Sequence, residues 1–133
     1  MGRLTRRAEY LRVAKGRKHA MRSCVIQAAP RGDDDPLIRA GFTATKKIGG
    51  AVVRNRAKRR LKAAARALLP RLGRPGVDYV FIARRDTARH GWALLLDDVE
   101  RALISVAPAA TDPADGPAFS AKSPANSKDV ADG

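Results

Sequence analysis

Apolar residues recur along this chain with two rhythms, one near 3.6 residues and one near two. Leu4, Ala8, Leu11 and Ala14 fall on one side of a helix predicted over about residues 5–15, with Tyr10 at the edge of that face and Gly16 ending it. Residues 21–29 (MRSCVIQAA) are rich in small and β-branched residues and predict a strand. PRGDDDP at 30–36 is a turn signal. Residues 37–45 (LIRAGFTAT) predict the antiparallel return strand, with a possible split of 37–47 into two strands. A long helix follows over about 51–69, with Pro70 closing it and Gly73, Pro75 and Gly76 in the next loop. Residues 77–84 (VDYVFIAR) predict a strand buried on both faces. The last helix spans about 92–106, with Trp92, Leu95, Leu96, Val99, Leu103 and Val106 as its apolar face. The order α-β-β(-β)-α-β-α in one unit defines an α+β class, a compact α-β sandwich.

From residue 107 onward the chain turns to Ala, Pro, Ser, Gly and Asp, with Phe119 and Val130 as its large apolar residues. Such a segment cannot bury enough surface to offset ordering entropy, so 107–133 is expected to be a disordered tail and 1–106 the folded domain. No internal repeat is visible.

Charge changes the picture most. Among 133 residues the formal net charge is +14, which favours polyanionic partners. Residues 36–77 hold twelve Lys or Arg and no acid. The stretch 46–66, KKIGGAVVRNRAKRRLKAAAR, concentrates nine of these cations. At 100° per residue, Val53, Ala57, Leu61, Ala64 and Leu68 make an apolar stripe. Asn55, Arg59, Lys62 and Arg66 lie opposite with Lys58 nearby, and Arg54, Arg56 and Arg60 flank the two faces. A merely solvated helix surface mixes signs, because like charges at i, i+4 oppose the helix by a few tenths of a kcal/mol, roughly. An all-positive face therefore points to nucleic acid. Membrane-surface helices expose large apolar residues, whereas this stripe is half Ala. Arginine forks suit phosphates and their planes stack on bases. Gly49 and Gly50 permit close backbone approach and place helix N–H groups where a phosphate could sit, or serve only the strand-to-helix turn.

Other chemistry is sparse. The lone Cys24 excludes an intrachain disulfide and fits a reducing, cytoplasmic setting. One Cys with His19 and His90 cannot build the usual zinc spacings, and no metal ligand set is expected. No apolar run reaches membrane-span length and the N-terminus lacks a signal-peptide core, so no membrane association is expected. Asp33, Asp34 and Asp35 suit a solvated loop tip better than a metal site. Asp97, Asp98 and Glu100 suit a solvated helix face. No nucleophile triad is legible. Three classes remain: an accessory subunit of an RNA enzyme, a pure RNA-binding module, and a stand-alone nuclease.

Gly41, Ala44, Thr45, Lys46, Lys47, Gly49, Ala51, Val52, Arg54, Asn55, Lys58 and Arg59 separate these classes. In that order and spacing they resemble the signature of the protein subunit of bacterial ribonuclease P. Weaker similarity covers about 4–106, including AEYLRVAKG near the start and DYVFIAR at 78–84. The resemblance implies a left-handed β-α-β crossover at the central helix, where general chirality rules favour the right hand. It implies an RNA catalyst that removes the 5′ leader of precursor tRNA with Mg²⁺ held mainly by RNA, and a protein that assists without oligomerising. Carried over by position, Arg54, Asn55, Arg56, Lys58, Arg59 and Arg60, with Lys62, Arg66, Lys46 and Lys47, would bind the RNA subunit. Tyr10 matches an aromatic of the leader cleft between the sheet and the first helix, though it also fits as a half-buried core residue. Phe42 could face the cleft or the core. Ala14 and Gln27 stand where the family often has further cleft aromatics, which implies a weaker stacking grip.

Overall fold

The computed structural model describes residues 2–107. The expected tail at 107–133 therefore lies, apart from its first residue, outside the described residues. The elements are β1 (Gly2–Arg3), α1 (Arg7–Ala14), β2 (Arg17–Ala20), β3 (Cys24–Pro30), β4 (Arg39–Thr43), α2 (Ala51–Leu72), β5 (Val77–Ala83) and α3 (Trp92–Val106). Short 3-10 turns at Lys46–Ile48 and Arg85–Ala88 precede α2 and α3. The five strands form one mixed sheet in the order β1-β4-β5-β3-β2. This is the α+β architecture that the pattern predicts.

Two connections differ from expectation. β3 and β4 run antiparallel but are not neighbours: β5 lies between them, antiparallel to β3 and parallel to β4. β5 is the most apolar strand and six of its seven residues are buried, so the centre of the sheet shields it best. The chain also forms an edge strand, β2, from RKHA, which carries no apolar alternation to announce it. It pairs with β3 from Arg17↔Ala28 to Ala20↔Val25.

One sheet face packs against α2 and α3. Ile26, Ala28, Ala40, Tyr79 and Phe81 meet Ala57, Leu61, Ala64, Ala65, Leu68 and Leu69 of α2, and Leu95, Val99, Ala102, Leu103 and Val106 of α3. Pro70 does not close α2 but sits inside its last turns. It forfeits only the bond to the carbonyl of exposed Arg66, and the Gly73 N–H closes onto Leu69 O at 2.8 Å.

Among the described residues the helix covering the other face is α1, and it does so with a different side than periodicity predicts. Ala8, Leu11 and Ala14 are exposed, Val13 is buried and Tyr10 is half-buried. Ionic contacts set this orientation. Arg12 Nη2 lies 2.5 Å from Asp78 Oδ2 on β5, and Arg39 Nη1 on β4 lies 2.9 Å from Glu9 Oε2. Glu9 also takes the Thr5 and Arg6 N–H groups at 2.9 and 3.0 Å, starting the helix. These backbone bonds, with the Arg39 charge beside them, outweigh desolvation and lower the Glu9 pKa.

Candidate nucleic-acid interface

Strand register builds the site. On the α1 face, Lys18, Gln27, Val80 and Gly41 form one cross-strand row and Ala20, Val25, Ile82 and Thr43 the next. α1 seals Ala29 and Val80 with Leu4 and Val13. Val25, Gln27, Ile82 and Thr43 remain half-exposed, leaving an open shelf beside the helix.

Tyr10 stands at one side of this shelf. Its ring lies flat on Gly41, where an added Cβ would sit 2.6 Å from ring atoms. Only glycine leaves room for that contact. The Tyr10 hydroxyl donates to Leu4 O at 3.3 Å.

Phe42, the next residue, points to the opposite face and stacks on Phe81 with ring centroids 5.1 Å apart. It is half-buried, so its ring serves the core while its edge reaches the surface. Of the two orientations left open by the sequence, the structure takes the core one: Phe42 faces α2 and α3, on the side of the sheet away from α1. β1 pairs with β4 only at Arg39 and Ala40, so the β4 edge is open at Gly41 and Phe42. A groove of about 400 Å³ runs there, lined by Tyr10, Gly41 and Phe42 together with Lys58, Lys62 and Arg66 of α2. The sheet edge thus joins the aromatic of one face to the cations of the other.

α2 turns its cations in three directions. Asn55, Lys58, Arg59 and Lys62 line a shallow surface with exposed Val52. Arg56 and Arg60 face the start of α3. Arg60 is engaged internally: it donates to Thr87 O at 2.7 Å and His90 O at 2.5 Å. Desolvation and the neighbouring Arg56 lower its pKa. Arg54, expected on the flank, turns inward at the head of the buried stripe. Its Nε is buried with no hydrogen-bond partner, while Val53, expected in that stripe, is exposed. Lys46 and Lys47 lie exposed on the 3-10 turn before α2. Gly49 has φ 144° there, a region that side chains disfavour, whereas a Cβ on Gly50 would meet open space.

Acidic groups are tied elsewhere. Asp33 takes Arg31 Nε and the Asp35 N–H, and Asp35 takes the Leu37 N–H at 2.9 Å. Asp98 accepts from Ser23 Oγ at 2.7 Å and faces His90. Asp78, which sequence reasoning missed, is fully buried and meets Arg12, Arg31 and Arg39. Its position in the DYVFIAR run was its only signal. Burial pushes its pKa up, but the hydrogen bonds and charges of Arg39 and Arg31 win and lower it. Among the described residues no three His, Cys, Asp or Glu side chains cluster to hold a metal. Burial pushes the Cys24 thiol up to about 11, keeping it protonated and unreactive. Among the described residues no helix is long and apolar enough to cross a membrane.

Fold and surface together define a small, strongly basic α+β protein whose grooved cationic face suits a polyanion. Residues 2–107 match the family model for ribonuclease P. The chain is 58% identical over 105 residues to the ribonuclease P protein component of Caulobacter vibrioides, covering 79% of this chain and 70% of that one. It is 50% identical over 102 residues to the Ruegeria pomeroyi ribonuclease P protein component, covering 75% and 82%. The structure of the Staphylococcus aureus RNase P protein superposes with a TM-score of 0.66 at 25% identity, covering 77% of this chain and 93% of that one. The Thermotoga maritima RNase P protein shares the fold with a TM-score of 0.68 at 22% identity, covering 81% and 100%. This chain belongs to the ribonuclease P protein family.

Proposed function

We propose that this chain is the accessory protein subunit of ribonuclease P, working in the cytoplasm on the 5′ leader of precursor tRNA. The catalytic RNA subunit carries the hydrolysis, with Mg²⁺ bound by RNA and substrate. The protein contributes binding and positioning.

One observation carries this reading: Tyr10 and Phe42 share a groove with Lys58, Lys62 and Arg66. Unpaired bases stack on aromatics whatever their sequence, and cations follow the backbone. A groove combining both suits a single-stranded leader of variable sequence, and the shelf over Val25, Gln27 and Ile82 extends it. Asn55, Arg59 and the exposed lysines at 46 and 47 offer the RNA subunit a surface with no acid among them. Arg54 Nε gains a partner if an RNA oxygen seats at the head of α2.

The test is cleavage of labelled precursor tRNA at low Mg²⁺ by a bacterial ribonuclease P RNA, with and without this protein, and by protein alone. Cleavage at the mature 5′ end only with both supports the proposal. Cleavage by protein alone places the chemistry in this chain and overturns it. A pair no more active than the RNA, although protein binds it, leaves a binding module.

A further inference from the structure

Trp92 is the single tryptophan of the chain. It opens α3, yet it remains 42% exposed while Leu95 and Val99 fill the core beneath. The Arg60 guanidinium lies 5.9 Å from the centre of its ring. Because Arg60 is anchored to Thr87 O and His90 O, the indole rests against a fixed cation. A groove of about 380 Å³ opens between α2 and the start of α3, lined by Arg56, Arg59, Arg60, Ala63 and Trp92. Ala63 keeps its floor low. Arg56 and Arg59 are exposed. α3 starts with no side-chain cap and no acid in its first turn, which leaves the positive helix end without a counter-charge from that turn.

This groove shares no residue with the one that holds Tyr10. It lies on the opposite flank of α2. There a large apolar ring, 42% exposed, stands beside three arginines. It has the composition of a base-stacking platform with phosphate ligands at its rim.

We infer that the α2–α3 groove is a second RNA site, which takes one unpaired nucleotide with its base on Trp92 and its phosphate between Arg56 and Arg59. The inference rests on the RNA-binding reading above and extends it to a surface separate from the leader groove.

Trp92 reports on its own site, since it is the one indole of the chain and emission excited at the red edge, beyond tyrosine absorption, is its own. The experiment titrates the full chain with a single-stranded oligoadenylate, following emission and its quenching by acrylamide, with filter retention as an independent measure of binding. The groove predicts that RNA quenches the emission and shields the ring from acrylamide. Trp92→Ala then binds about tenfold more weakly, and Trp92→Phe recovers most of the affinity because it can still stack. Arg56→Ala, at an exposed position, weakens the binding reported by Trp92 several-fold. If RNA is retained on the filter while emission and shielding are unchanged, the groove is not a nucleotide site and the RNA-binding reading survives. If no RNA is retained at all, both readings fall. If Trp92→Phe binds as weakly as Trp92→Ala and both lose thermal stability, Trp92 is structural and the inference is overturned.

Discussion

Arg39 grips Asp78 through both ends of its fork, with Nε 2.9 Å from Oδ1 and Nη2 2.6 Å from Oδ2. This pair joins β4 to β5 at the centre of the sheet. Arg12 and Arg31 reach the same carboxylate from α1 and from the loop after β3. Replacing Asp78 by Asn leaves three guanidiniums around one neutral group. Breaking a buried ion cluster in this way costs about 3–5 kcal/mol, measured by urea unfolding. Asp78 is held ionised, with a lowered pKa. Its stabilisation is therefore complete above the unfolded aspartate value of about 3.9 and is lost as pH falls through the lower folded value. Acid unfolding of Asp78→Asn should lack that part of the decline below about pH 4. An unchanged acid profile with unchanged stability would remove Asp78 as the keystone of α1 docking.

Gly41→Ala tests the seat of Tyr10. The added methyl collides with the ring at 2.6 Å, so the ring must leave its place or the strand must shift. Overpacking of this kind costs about 1–3 kcal/mol. Affinity for a single-stranded leader should fall alongside. Tyr10→Phe loses only a long hydroxyl bond to Leu4 O and should keep the affinity. Equal binding by Gly41→Ala and the native chain would exclude Tyr10 from the leader groove.

Arg54 and Arg60 are both half-buried cations of α2, and the structure separates them. Arg60→Ala leaves the carbonyls of Thr87 and His90 without their donor and should lower stability by about 1–3 kcal/mol. Arg54→Ala removes a buried Nε that has no hydrogen-bond partner, so stability should hold or rise while RNA affinity falls. Thermal unfolding and RNA titration of the two variants, side by side, decide the point. A large loss of stability in Arg54→Ala would make that residue structural.

The acidic loop is expected to be dispensable for chemistry. Asp33 and Asp35 hold turn bonds to Arg31, Asp35 N–H and Leu37 N–H, and nothing places them near the basic grooves. Asp33→Ala, Asp34→Ala and Asp35→Ala combined should leave precursor cleavage intact with the RNA subunit present. Loss of the chemical step in a folded triple variant would contradict the accessory role.

Helices and central strands were legible in the sequence because their burial is apolar and periodic. α3 falls on its expected boundaries, and α2 begins where the cationic run predicts. Polar contacts were not legible. Periodicity predicts the wrong face of α1 because Glu9 and Arg12 dock the helix through charge, which hydrophobic spacing does not register. β2 escaped because RKHA shows no alternation, and the place of β5 between β3 and β4 is a long-range choice that no local signal encodes. The cations of α2 stand out as a run in the sequence, but their division between the Tyr10 groove, internal bonds and the Trp92 groove depends on what α2 packs against.

The salt dependence of RNA-subunit affinity tests the central claim most directly. If about five cations of α2 neutralise phosphates, log K should fall with log salt at a slope of roughly −3 to −5. Arg59→Ala, Lys62→Ala and Arg66→Ala, all at exposed positions, should each reduce the slope by about one unit while the fold stays intact. A slope near zero, or one unmoved by all three substitutions, would mean that the cationic face of α2 does not carry the RNA.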